Sequence, residues 1–126
     1  MVFSFWLISI ITLFKINYLN SIDLSSRGYI EVPQNLSNEV QVDLSHNQIE
    51  KIDELVFDPE TQEIYLNDNR INYINPIVFR DLYNLSELDL RNNRLQSFEI
   101  DFNFVKGETK ETFVNLDGNV DLTLLS

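Results

Sequence analysis

The sequence predicts an α/β solenoid. In such a stack of coils, short parallel strands line one side, and irregular or short helical turns run back along the other. Three observations point to it. The stretch LSELDLRNNRL at Leu85–Leu95 sets its leucines three, then two, then five residues apart, a rhythm that neither a helix nor a strand asks for along its whole length. The same rhythm recurs upstream in register. The segments between copies carry apolar positions and turn signals of their own.

The repeat unit reads L-x-x-L-x-L-x-x-N-x-L, with Leu85, Leu88, Leu90, Asn93 and Leu95 in its slots and Phe98 three residues later. TQEIYLNDNRINYI supplies Ile64, Leu66, Asn69, Ile71 and Ile74, and EVQVDLSHNQIEKI supplies Val42, Leu44, Asn47, Ile49 and Ile52. In LNSIDLSSRGYIEV, Leu19, Ile22, Leu24, Tyr29 and Val32 fit, but Arg27 takes the asparagine slot. ETFVNLDGNVDL offers Val114, Leu116 and Asn119 and loses the pattern at Asp121. The ninth slot therefore falls at 27, 47, 69, 93 and 119, giving periods of 20, 22, 24 and 26 residues.

Each slot has a physical reason. Alternation along Leu88–Asp89–Leu90 sends both leucines to one side and the aspartate to the other. One unit cannot bury its apolar face alone, so neighbours must stack. An asparagine amide both donates and accepts, so Asn47, Asn69, Asn93 and Asn119 are expected to form a structural ladder at the turn out of each strand. The rival reading, that they are ordinary turn residues, does not account for their recurrence in register. On the return arc, ELVF at 54–57 and PIVFRDL at 76–82 are expected to form short helical turns, with Asp53 or Asn75 near their starts. Asn75–Pro76 fits an N-cap followed by proline at the first helical position.

This pattern resembles the leucine-rich-repeat family, whose periods run from 20 to 29 residues. The resemblance covers roughly residues 19–105. The segment from Ile22 to Ile49 is also similar to the amino-terminal cap and first repeat of extracellular members. Such caps normally carry a disulfide cluster, with one cysteine where Leu24 stands. This chain has no cysteine, so only SSRG, VP and the repeat slots carry over. The resemblance implies recognition of a protein or glycan.

Residues 1–17 read as a signal segment, and residues 18–126 as a repeat domain of four to five coils, the last degenerate. Val2 to Phe14 is uncharged, too short for a usual membrane span and about the length of a secretory hydrophobic core. No basic residue precedes it and no Ala-x-Ala-like site follows. If this end is retained, membrane contact through it, or packing on the first coil, is the alternative. The sequons at Asn35 and Asn84 are glycosylation candidates and agree with a secreted or extracellular location. A membrane-associated or cytoplasmic location is the lesser alternative. At the far end, FEIDFNFV puts Phe98, Ile100, Phe102 and Phe104 on one side of a strand pattern, and Leu122, Leu124 and Leu125 are expected to pack on the last coil.

The chain has 126 residues and a formal net charge of -11, from 20 acidic and 9 basic side chains. That balance excludes phosphate-backbone binding and suits a basic partner. The strands should present a concave face whose binding residues are Asp23, Asp43, Glu63, Tyr65, Glu87, Asp89 and Arg91. Tyrosine and arginine are typical hot-spot residues, and an acidic surround steers a basic protein or glycan partner toward them. The rival is a merely solvated strand face. An exposed end coil would also allow a dimer.

Catalysis is not expected. His46 is the single histidine, no thiol exists, and the three glycines form no phosphate loop. Glu87, Asp89 and Asp68 cluster, but glycosidase-type acid pairs need a cleft. LDGNVD at 116–121 lacks the spacing of a calcium loop. Neither a cofactor nor a metal is expected. The functional expectation is a protein-binding domain. The alternatives are a partial or degenerate fragment of a larger receptor with a structural role, and an intracellular scaffold.

Overall fold

A computed structural model describes residues 21–100 and 111–123. The readings of residues 1–17, Leu19, Phe102, Phe104, Leu124 and Leu125 lie outside the described residues. Five three-residue strands form one parallel sheet in the order β1 (Ser21–Asp23), β2 (Gln41–Asp43), β4 (Glu63–Tyr65), β6 (Glu87–Asp89) and β7 (Phe113–Asn115). The register is unbroken. Ile22, Val42, Ile64, Leu88 and Val114 lie side by side, and the residues on either side of them match in the same way. One coil separates each strand from its neighbour, so every pairing joins consecutive coils.

Strand alternation builds the core. Val42 and Leu44, Ile64 and Leu66, and Leu88 and Leu90 are fully buried, together with Ile49, Ile71 and Leu95 beyond the turn. On the far wall, β3 (Lys51–Ile52) pairs in parallel with β5 (Tyr73–Ile74), which places Ile52 beside Ile74 inside the stack. Leu36 bridges to Phe57, and the Phe57 and Phe79 rings stack with centroids 6.5 Å apart and planes 10° from parallel. Burying such side chains stabilises the stack by roughly 1.5–3 kcal/mol each.

The predicted α/β class is overturned. Among the described residues the solenoid is all-β, and its one helical element is a four-residue 3-10 turn, Pro76–Phe79. The local signals at that turn act as expected from their chemistry. The Asn75 side chain accepts from the Ile77 N–H at 3.2 Å, and Pro76 opens the turn. The segment 54–57 forms no helix; instead Phe57 is drawn into the bridge with Leu36. The physical reason is length. Forming the first helical turn is costly and is recovered only by propagation. The arcs of these coils are too short for propagation, and side chains that must meet the neighbouring coil hold the backbone extended.

The two ends differ. Leu24 and Val32 are buried in the first coil. In the last, Val114, Leu116 and Leu122 are only partly buried, Asp121 takes the slot filled elsewhere by Ile49, Ile71 and Leu95, and Val120 is 89% exposed. No helix among the described residues is long and apolar enough to cross a membrane.

Candidate binding face

The face is held by the turn that follows each strand. Asn47, Asn69, Asn93 and Asn119 are all buried there. Each Nδ2 donates to a carbonyl of its own strand exit and to one in the preceding coil. Asn69 bonds Leu66 O at 3.0 Å and Leu44 O at 2.9 Å, and Asn93 bonds Leu90 O at 3.1 Å and Leu66 O at 2.9 Å. Asn47 reaches Leu44 and Leu24, and Asn119 reaches Leu116 and Leu90. Each Oδ1 accepts from the preceding coil: from Arg27 and Tyr29 at Asn47, from Ile49 at Asn69, from Ile71 at Asn93 and from Leu95 at Asn119. Arg27, in the same slot of the first described coil, instead donates to its own coil at Asp23 O.

The residue before this slot is left-handed in every coil: Ser26, His46, Asp68, Asn92 and Gly118, with φ of 54°, 55°, 58°, 54° and 78°. Serine, histidine, aspartate, asparagine and glycine are side chains found in, or freely adopting, that region. Sequence reasoning missed this column, although the absence of any β-branched residue from it was the available signal. The side chains link up. Asn92 Nδ2 donates to Asp68 Oδ1 at 2.9 Å, Asn67 Nδ2 donates to Asp68 Oδ2 at 2.7 Å, and His46 Nδ1 lies 3.7 Å from Asp68 Oδ2. The bond from Asn67, then that from Asn92, holds the Asp68 carboxyl below its ordinary value.

Six of the predicted binding residues lie on the outward side of β1, β2, β4 and β6, with Arg91 just beyond β6, and they divide into two groups. Asp23, Asp43 and Asp89 each accept the backbone N–H two residues on, from Ser25, Ser45 and Arg91, at 2.9, 2.9 and 3.0 Å. Asn115 does the same for Asp117 at 3.1 Å. These are Asx turns, which fix the exit from the strand. Asp89 is further occupied by Arg91, whose Nη2 reaches Oδ2 at 2.6 Å while Nε contacts both oxygens. The side-chain and then the backbone bond from Ser25 lowers the Asp23 carboxyl. At Asp23 and Asp43 the Asp-x-Ser spacing carried this turn role in the sequence, where the aspartates read only as outward acids.

The second group is Glu63, Tyr65 and Glu87. Glu63 and Glu87 are direct partners on neighbouring strands. The Tyr65 hydroxyl donates to Glu63 Oε2 at 3.0 Å and lies 3.5 Å from Glu87 Oε2, while Gln41 Nε2 donates to Glu63 Oε2 at 2.9 Å. Burial first, and then the bond to Glu63, pushes the Tyr65 phenol up to about 12. Phe113, partnered with Glu87 in the register, is 63% exposed at the end of this row.

No trio of metal-ligating side chains occurs among the described residues. Of the sequons, Asn35 is exposed at a left-handed turn, while Asn84 Nδ2 donates to Glu60 at 3.2 Å. Their middle residues, Leu36 and Leu85, are both in the core.

A leucine-rich-repeat model matches residues 40–95, and a second model of the same repeat matches residues 84–116. Between them the two matches span residues 40–116, so these coils are similar to leucine-rich repeats. These matches support a general protein-binding role. The chain has no cysteine with which to form a disulfide cap. The chain is 34% identical over 85 residues to a protein of Caenorhabditis elegans named probable U2 small nuclear ribonucleoprotein A′, over 64% of this chain and 34% of that protein. The chain thus spans about a third of that relative's length.

Proposed function

We propose that this leucine-rich-repeat domain recognises a basic protein partner through the concave sheet face, with Glu63, Tyr65 and Glu87 as the central contact. One observation carries the reading. Glu63 and Glu87 stand directly opposite one another with no cation paired to either in any described ion pair. Like charges placed opposite on neighbouring strands destabilise a sheet. Asp23, Asp43 and Asp89 serve the strand exits, whereas these glutamates form no such turn. A lysine or arginine from a partner would offset their repulsion, and Tyr65 would supply a rigid surface beside it.

The test measures binding of the full chain to an immobilised arginine-rich peptide across a range of salt concentrations. Glu63→Lys with Glu87→Lys is expected to weaken association by about tenfold at low salt, with less effect as salt screens the face. Charge reversal at Asp43 weakens it less, and Asp89→Asn least, because Arg91 already neutralises Asp89. Equal binding by all variants would place the contact elsewhere.

Two cellular settings follow. The uncharged leader and the exposed Asn35 support a secreted glycoprotein. The similarity to a protein named as a nuclear ribonucleoprotein supports an intracellular scaffold. The mature amino terminus and the glycan state of Asn35 and Asn84 in the native protein separate them: a trimmed, glycosylated chain supports the first, an intact and unmodified one the second.

A further inference from the structure

We propose that the Asp117–Gly118 peptide is a site of spontaneous backbone isomerisation, and that the product loosens the fifth coil from the fourth. The three glycines of the chain follow Arg27, Lys106 and Asp117, so this is its one acid–glycine pair. Both residues are exposed. The Asp117 carboxylate accepts no hydrogen bond among the described residues, and the Gly118 N–H donates to none. Neither reacting group is therefore tied up in a hydrogen bond, although the Asp117 charge is felt by Arg91, and glycine presents no side chain to block the approach.

In the reaction, the Gly118 nitrogen attacks Asp117 Cγ and loses its proton, and the carboxyl leaves one oxygen as water. A five-membered succinimide results. Water then opens the ring at either carbonyl. Opening at Cγ restores aspartate. Opening at the α-carbonyl routes the main chain through Cβ and Cγ and leaves the α-carboxylate as the new side group. The sum is an isomerisation that needs no co-reactant beyond water, which is lost and regained.

The fold shows what the rearrangement would disturb. Gly118 has φ +78°, and a Cβ there would lie 2.2 Å from Asn92 Oδ1 and 3.2 Å from the Asn92 nitrogen, so the position favours glycine. The Asp117 carbonyl accepts the Asn92 N–H at 2.8 Å, one of the bonds that close the fifth coil on the fourth. In the isomer that oxygen belongs to a free carboxylate, and the backbone is one atom longer. The next residue is Asn119, whose amide joins Leu90, Leu95 and Leu116. Partial burial of Val114 and Leu116 leaves this coil with little apolar packing to hold it once those bonds shift.

The experiment ages the full chain at neutral pH and physiological temperature, beside a synthetic peptide of residues 115–121. Isoaspartate is located by fragmentation mass spectrometry, and amide exchange is followed at Asn92. The expected result is isoaspartate at 117 in the full chain at a rate within about tenfold of the peptide, because no local opening is needed to free the reacting groups. The aged fraction exchanges the Asn92 amide faster, and Asp117→Glu keeps the fold while forming no isomer at 117. A rate slower than that range, or an aged chain with unchanged exchange at Asn92, overturns the proposal.

Discussion

Asn93 Nδ2 holds the Leu66 carbonyl of the preceding coil at 2.9 Å, while its Oδ1 accepts the Ile71 N–H of that same coil at 2.9 Å. One side chain thus occupies a donor and an acceptor of its neighbour at once. Asn93→Ala leaves the Ile71 N–H buried without an acceptor and thins the bonding at Leu66 and Leu90. The expected loss is about 2–4 kcal/mol, read from urea unfolding of the variant against the parent chain. Asn67→Ala, one turn outward, removes only the bond to Asp68 and should cost well under half as much.

The left-handed column makes a second prediction. His46→Val forces a β-branched side chain into φ 55° and should cost about 1–2 kcal/mol, whereas His46→Gly should be close to neutral. Gly118→Ala should be the more damaging change in the column, because the added methyl meets Asn92 as well as the backbone preference. Thermal unfolding of the three variants orders them.

The chain's repeat slots were legible because each is chemically exacting. A buried leucine at Leu44, Leu66 or Leu90 admits few replacements, and the amide at Asn69 or Asn93 admits fewer. The helical turns were misread because Asn75–Pro76 is a true start signal whose helix has no room to continue. At ELVF, the bridge between Leu36 and Phe57 outweighs local preference, and nothing within those four residues announces it. The outward acids were placed on the correct side by strand alternation. Their division into turn-makers and the Glu63–Tyr65–Glu87 group depended on distances that spacing does not reveal.

Tyr65 gives a pH prediction. Its phenol rises to about 12 in the folded state, against an ordinary value of about 10. A group raised by folding contributes stability below its unfolded value and loses it as pH climbs through the folded one. The parent chain should therefore lose stability between about pH 10 and 12 in a step that Tyr65→Phe lacks. Phenolate absorbance during alkaline titration, compared between the two, checks it.

Asp68 predicts the opposite limb. Its carboxyl is lowered, chiefly by the amides of Asn67 and Asn92. A depressed acid contributes stability above its unfolded value of about 3.9, and that contribution is lost as pH falls through the folded value. Asn92→Ala should move the Asp68 carboxyl back toward its ordinary value, seen as a higher midpoint in a carboxyl NMR titration.

The asparagine amides all reach backward. Those of Asn47, Asn69, Asn93 and Asn119 bond to their own coil and to the one before it, never to the one after. A chain shortened from its carboxyl end would leave each remaining amide fully occupied, while one shortened from its amino end would strand the first amide it exposed. A growing polypeptide leaving the ribosome can therefore complete each coil against a finished template, so that assembly follows the direction of synthesis.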